Sequence, residues 1–168
     1  MTGIETAKCV VRIGTIEEMI NAWGYCNREL SSTAEFFADS ISKGSAVFYA
    51  LDYQGKVIGE LYVFFELDDK DFANAEEKAY LCAFRIGREY QHQGLGTYLI
   101  TSVMQKLQEQ GIKRVTIGVD KREEDNIRLY RRLGFNEKIK DCVSDPCDVD
   151  SDMNPKKCES FWLLQKEL

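Results

Sequence analysis

Apolar residues recur along this chain in two rhythms, and the switches between them mark out its elements. The clearest helical rhythm falls on Leu95, Leu99, Val103 and Leu107, with Ile100 and Met104 alongside, and Gly111 is its stop. Residues 46–52 and 57–66 are strand-like runs rich in β-branched and aromatic side chains, joined by the turn Tyr53-Gln54-Gly55-Lys56. Residues 10–13, 80–86 and 114–119 read as three further strands, and 135–140 and 161–165 as the last two. Thr15 is placed as the N-cap of a helix running to about residue 30. Glu18 holds the capping-box position there, and Ile16, Met19, Ile20 and Trp23 form the apolar side. Residues 33–42 predict a short helix stopped at Gly44, and 124–133 a last one stopped at Gly134. The polar, acidic stretch 68–78 reads as an exposed connection.

The resulting order is β, α, α, three strands, α, β, α and two final strands. It predicts a mixed α/β sandwich around one central sheet, a single domain over residues 1–168 with no repeat or linker. A chain of 168 residues with 44% apolar and 30% charged content can bury a real core. No apolar run is long enough to span a bilayer and the N-terminus lacks a signal-peptide layout, so the expectation is a cytoplasmic protein without a membrane partner. The six cysteines then read as free thiols. A net charge of −6 argues against general nucleic-acid binding and favours cationic over anionic acceptors.

The candidate chemistry centres on Gln91-His92-Gln93-Gly94-Leu95-Gly96-Thr97, between the strand 80–86 and the strongest helix. Two glycines at such a junction let the backbone pass close to a ligand, and the helix start offers unpaired N–H groups and a positive dipole end. That arrangement binds phosphate. A dinucleotide fingerprint would need glycine at Leu99, and a Walker loop would need Gly-Lys where Gly96 is followed by Thr97; both are excluded. What remains is Gln-x-x-Gly-x-Gly, followed downstream by Asn126-Ile127-Arg128-Leu129-Tyr130-Arg131-Arg132-Leu133-Gly134-Phe135.

This pair of elements, within residues 80–136, resembles the GNAT superfamily of N-acetyltransferases. The resemblance implies a mostly antiparallel central sheet with helices on both faces and acetyl-coenzyme A as cosubstrate. It implies that the backbone of Gln93, Gly94, Leu95, Gly96 and Thr97, with Gln91 matching the same loop, holds the pyrophosphate. A β-carbon at Gly94 or Gly96 would then obstruct the ligand. Phe84, Arg85 and Ile86 match the strand positions whose backbone pairs with the pantetheine arm, on a strand that splays from its neighbour. Tyr130 matches the tyrosine that protonates the departing thiolate, a task suited to a phenol with an unperturbed pKa of about 10. The family's coenzyme-contacting Asn falls at Glu123 here, which is expected to turn to solvent, with Asn126 as the substitute. A homodimer is in keeping with the superfamily.

The proton acceptor is less direct. Relatives often carry a glutamate on the strand before the tyrosine helix, where this chain has Gly118. By period-two alternation Glu60, Tyr62 and Glu66 share one face of their strand; any of the three can order a water to accept the proton, and Glu66 is the one taken for that role. Residues 141–159 carry Cys142, Cys147 and Cys158 among Asp145, Asp148, Asp150 and Asp152; the spacing is not a zinc spacing and the segment reads as a flexible acidic loop. In the family this loop borders the acceptor site, so its acidity suggests a polyamine, an aminoglycoside or a lysine-bearing peptide. The leading reading is direct acetyl transfer to a primary amine, with no metal. Its rivals are a non-catalytic acyl-coenzyme A-binding or sensing module and an adaptor protein using the acidic loop.

Overall fold

The computed structural model describes residues 3–168. Seven strands form one sheet: β1 (Cys9–Ile13), β2 (Ala46–Tyr53), β3 (Lys56–Phe64), β4 (Lys78–Ile86), β5 (Arg114–Asp120), β6 (Glu137–Val149) and β7 (Pro155–Glu167). Their spatial order is β1-β2-β3-β4-β5-β7-β6, and every pairing is antiparallel except β4 with β5. The crossover that makes this one parallel pair is α3 (Leu95–Glu109). The other helices are α1 (Ile16–Ala22), α2 (Ser32–Lys43) and α4 (Glu124–Arg132). No helix among the described residues is long and apolar enough to cross a membrane.

Alternation along β3 sorts the core into two layers. Leu61 and Val63 join Leu99, Val103 and Leu107 of α3, and Tyr130 and Phe135 of α4 and its exit, on one face. Tyr62 and Phe64 join Met19 of α1 and Phe37 of α2 on the other. The expected mixed sheet with helices on both faces is therefore the observed one.

Three local expectations are corrected. The first helix ends at Ala22, not near residue 30, because Gly24 takes a left-handed φ of 76° and the Tyr25 N–H returns to the Ile20 carbonyl at 2.9 Å. The stretch 68–78 is not simply exposed: Phe72 and Ala73 are buried, Phe72 meets the Tyr80 ring edge-on at 4.9 Å, and Thr116 Oγ1 donates to the Phe72 carbonyl at 2.7 Å. The segment 141–159 is no flexible loop, since β6 and β7 continue through it as one long hairpin, burying Cys142 and Cys147.

Candidate active site

Beyond Leu81 and Ile117 the parallel pair β4–β5 comes apart. Pairing runs from Lys78 with Arg114 to Leu81 with Ile117 and then stops, although both strands continue. A bulge completes the divergence: Glu60 opposes Arg85 and Tyr62 opposes Cys82, so Leu61 faces both Ala83 and Phe84, and Ala83 adopts a φ of 49°. The backbone of β4 past the bulge faces an opening instead of a neighbouring strand. An extended ligand arm can add to such an edge as a strand would.

The opening is a cleft of about 460 Å³ that reaches from Ala83 and Phe84 on β4 to Gly118 on β5 and Tyr130 on α4. Tyr130 is 5% exposed, and burial, followed by the charge of Glu123, pushes its phenol well above the ordinary range. Asn126 Nδ2 donates to Glu123 Oε2 at 2.8 Å, and both residues line the cleft. Glu123 is exposed as expected, yet it stands at the cleft rim.

The loop 91–97 sits at the end of β4 where α3 begins. Gly94 is the N-cap with a left-handed φ of 78°, and the first bond to it comes from the Tyr98 N–H. The N–H groups of Leu95, Gly96 and Thr97 precede that bond and have no acceptor within the helix. Gln91 Nε2 donates to the Ile86 carbonyl at 3.0 Å, which ties the loop to β4, and Gln93 Oε1 accepts from the Ile4 N–H at 2.8 Å. The glycines also have reasons inside the protein, a correction to the ligand-only rationale. Gly94 has open space around it and is demanded by its φ, whereas a β-carbon on Gly96 would lie 2.9 Å from Phe84 Cζ. The Leu95 side chain is buried in the core, so only its backbone is available to the loop's outer side. Ile86 is buried too, whereas the Arg85 side chain turns to the opposite face of the sheet, toward Glu60.

Glu66 is not brought to this cleft. It lies past the end of β3, opposite Asn74, pairs with Lys70 at 3.7 Å, and lines a separate depression under the β6–β7 hairpin with Phe36 and Lys43. Gly118 cannot be replaced by a longer residue without movement, because the Phe161 ring stands 3.0 Å from where its β-carbon would be.

A second cluster, built on Glu60 of the three candidates sharing a strand face, lies on the other side of the bulge. Glu60, 4% exposed, accepts from Arg85 Nη2 at 2.9 Å and from Trp23 Nε1 at 3.1 Å. With Tyr25 these residues line a pocket of about 360 Å³ that shares Ala83 and Phe84 with the main cleft. The signal was a lone carboxylate inside the apolar run Val57-Ile58-Gly59-Glu60-Leu61-Tyr62-Val63-Phe64. The main cleft is itself acidic. Asp145, Asp148 and Glu159 line it, and burial raises the pKa of Asp145 above the ordinary carboxylate value. The exposed Cys158 lines it as well.

Residues 15–135 match the sequence model described as the acetyltransferase (GNAT) family. Two relatives from Bacillus subtilis are 33% identical over 87 residues: a probable spermine N(1)-acetyltransferase of subspecies natto strain BEST195 and a spermine/spermidine N(1)-acetyltransferase of strain 168. The match covers 51% of this chain, and the chain spans about half the length of these curated relatives, 56% of each. Among solved structures, a GNAT family acetyltransferase from Elizabethkingia anophelis with acetyl-CoA bound is similar at a TM-score of 0.67 and 19% identity, over 96% of this chain and 99% of that one.

Proposed function

We propose, on the premise that this chain belongs to the GNAT family of acetyltransferases, that it transfers an acetyl group from acetyl-coenzyme A directly to a primary amine of a cationic small molecule or peptide. The observation that carries this reading is the divergence of β4 from β5 with Tyr130 lining the gap and the start of α3 packed, at Gly96, on Phe84 of its wall. In this reading the pyrophosphate rests on the N–H groups of loop 91–97 and the pantetheine arm runs along β4 past Phe84, Arg85 and Ile86. The thioester then lies near the bulge. Backbone N–H groups there polarise its carbonyl, and the Tyr130 hydroxyl protonates the thiol as it leaves. Asn126 contacts the coenzyme at the rim.

A cationic acceptor is supported by the carboxylates around the opening, Asp145, Asp148 and Glu159, by the net charge of −6, and by the polyamine acceptors named for the two Bacillus subtilis relatives. Direct transfer is preferred to an acyl-enzyme. Cys82, the cysteine of β4 nearest the bulge, is buried and its pKa is raised by that burial, the wrong direction for a nucleophile. Glu66, in its separate depression, is not retained as the base.

The test is incubation with acetyl-coenzyme A and pooled polyamines, aminoglycosides, amino acids and peptides, read by mass spectrometry of the amines. An acetylated amine is the expected product. Coenzyme binding without any product would instead favour the sensing module.

A further inference from the structure

Resting on the acetyl-transfer reading, the geometry around Glu60 addresses the proton that reading leaves unassigned. An ammonium with a pKa near 10.4 must lose a proton before it can attack, which costs about 4–5 kcal/mol at pH 7. Burying a carboxylate is unfavourable unless its charge is met, and Glu60 is met on one side only. Arg85 and Trp23 both donate to Oε1, and among the described residues no donor reaches Oε2. Beside it, Tyr62 is fully buried, and among the described residues no partner meets the hydrogen-bond geometry at its hydroxyl. The counter-ion is the movable half of the pair. The Arg85 side chain is 55% exposed against 6% for Glu60, and among the described residues its one further hydrogen bond is to the Ala22 carbonyl at 3.0 Å.

The pocket in front of Glu60 is walled by Trp23 and Tyr25 and shares Ala83 and Phe84 with the coenzyme cleft. Glu60 and Tyr130 belong to opposite faces of the sheet, and the cavities beside them meet at Ala83 and Phe84, next to the parted strands. An amine arriving on the Glu60 face therefore attacks from the side opposite the one where the thiol leaves. The groups acting on Glu60 are Arg85 from β4 and Trp23 after α1, and Glu60 in turn faces Tyr62 on its own strand. Burial raises the Glu60 pKa, while Arg85 and Trp23 oppose the rise, so the carboxylate is a stronger base than a solvated one.

We propose that Glu60 receives the acceptor's ammonium on its free oxygen, displacing Arg85, and takes the proton that releases the nitrogen for attack. The ammonium gives one proton to Glu60, and the nitrogen lone pair forms the N–C bond at the thioester carbonyl. The C–S bond breaks, and the sulfur leaves with the electron pair and takes its proton from Tyr130. The remaining excess proton on nitrogen and the one on Glu60 pass to solvent, and Tyr130 regains one proton from solvent. The balance is one amide, one thiol and one proton.

The test uses the full chain, acetyl-coenzyme A and whichever pooled amine the unmodified protein acetylates fastest. Glu60→Gln is expected to lower kcat by about 100-fold or more and to flatten the rise of kcat/KM with pH, with coenzyme affinity and melting temperature retained. Glu60→Asp is expected to recover part of the rate. Arg85→Gln removes the competitor for Glu60 and is expected to lower the acceptor KM about three- to tenfold. Unchanged kcat and pH profile in Glu60→Gln would overturn the base role, and a raised acceptor KM in Arg85→Gln would overturn the displacement. An unmodified protein that binds acetyl-coenzyme A but acetylates none of the amines would remove the transfer reading itself, and this proposal with it.

Discussion

Phe84 of β4 lies over Gly96 of α3 so closely that a β-carbon on Gly96 would stand 2.9 Å from the ring's Cζ. This contact joins the strand that walls the cleft to the helix start that offers it free N–H groups. Gly96→Ala must push the ring or the helix aside, at about 1–3 kcal/mol. The expected outcome is a lower midpoint in urea and weaker acetyl-coenzyme A binding by calorimetry. Unchanged affinity would separate the contact from the coenzyme site.

Tyr130→Phe removes the hydroxyl and leaves the ring packed 6.1 Å from that of Phe135. Turnover is expected to fall by about 100-fold, the usual scale of a lost acid, with coenzyme affinity nearly unchanged. Equal activity in the variant would retire the acid assignment.

The cysteines divide by exposure. Cys26 and Cys158 are exposed, and Cys9, Cys82, Cys142 and Cys147 are buried. Burial is also the first cause raising the pKa of each of those four thiols, and of Cys158 as well, so access rather than ionisation separates the two groups. Labelling of the folded protein with a maleimide, mapped by peptide mass, is expected at Cys26 and Cys158 alone. Cys158 lines the cleft, so acetyl-coenzyme A should slow its labelling and leave Cys26 unaffected. Equal rates with and without coenzyme would place the ligand elsewhere.

Acid stability is expected to depend on Glu18. Arg12 Nη2 bonds its carboxylate at 2.7 Å, the Thr15 N–H donates to it at 2.8 Å, and its pKa is held at about 2. A carboxyl depressed below its unfolded value of about 4.3 stabilises the fold fully above that pH, and the contribution is lost as pH falls toward 2. Glu18→Gln should therefore lower the thermal midpoint at pH 7 and narrow its gap from the parent as pH is brought down toward 2. A gap that does not narrow would assign the loss to packing.

Much of this arrangement is legible in the residues. Thr15 with Glu18 announces the start of α1, and the observed capping box is the expected one. The spacing of Leu95, Leu99, Val103 and Leu107 announces α3, whose buried stripe includes all four. What escapes reading has a local cause in each case. The end of α1 lies in a glycine conformation at Gly24 that an apolar pattern continuing through Trp23 conceals. The hairpin escapes because β6 slips register three times against β7, which breaks the period-two alternation that would identify a strand. Phe72 is hidden among acidic neighbours, although its own side chain is fully apolar and buried. Glu66 and Glu60 share a parity in sequence, yet the strand ends at Phe64, so only Glu60 reaches the bulge. Alternation assigns faces within a strand and says nothing about where the strand stops.

The most direct measurement is a quenched reaction of the protein with spermine and acetyl-coenzyme A labelled in its acetyl carbonyl, with intact masses of amine and protein read from the same sample. Direct transfer through the β4–β5 cleft predicts label on the amine, an equal amount of free coenzyme A, and none on the protein. Label on a protein thiol such as Cys82, or coenzyme binding with label on neither, would contradict it.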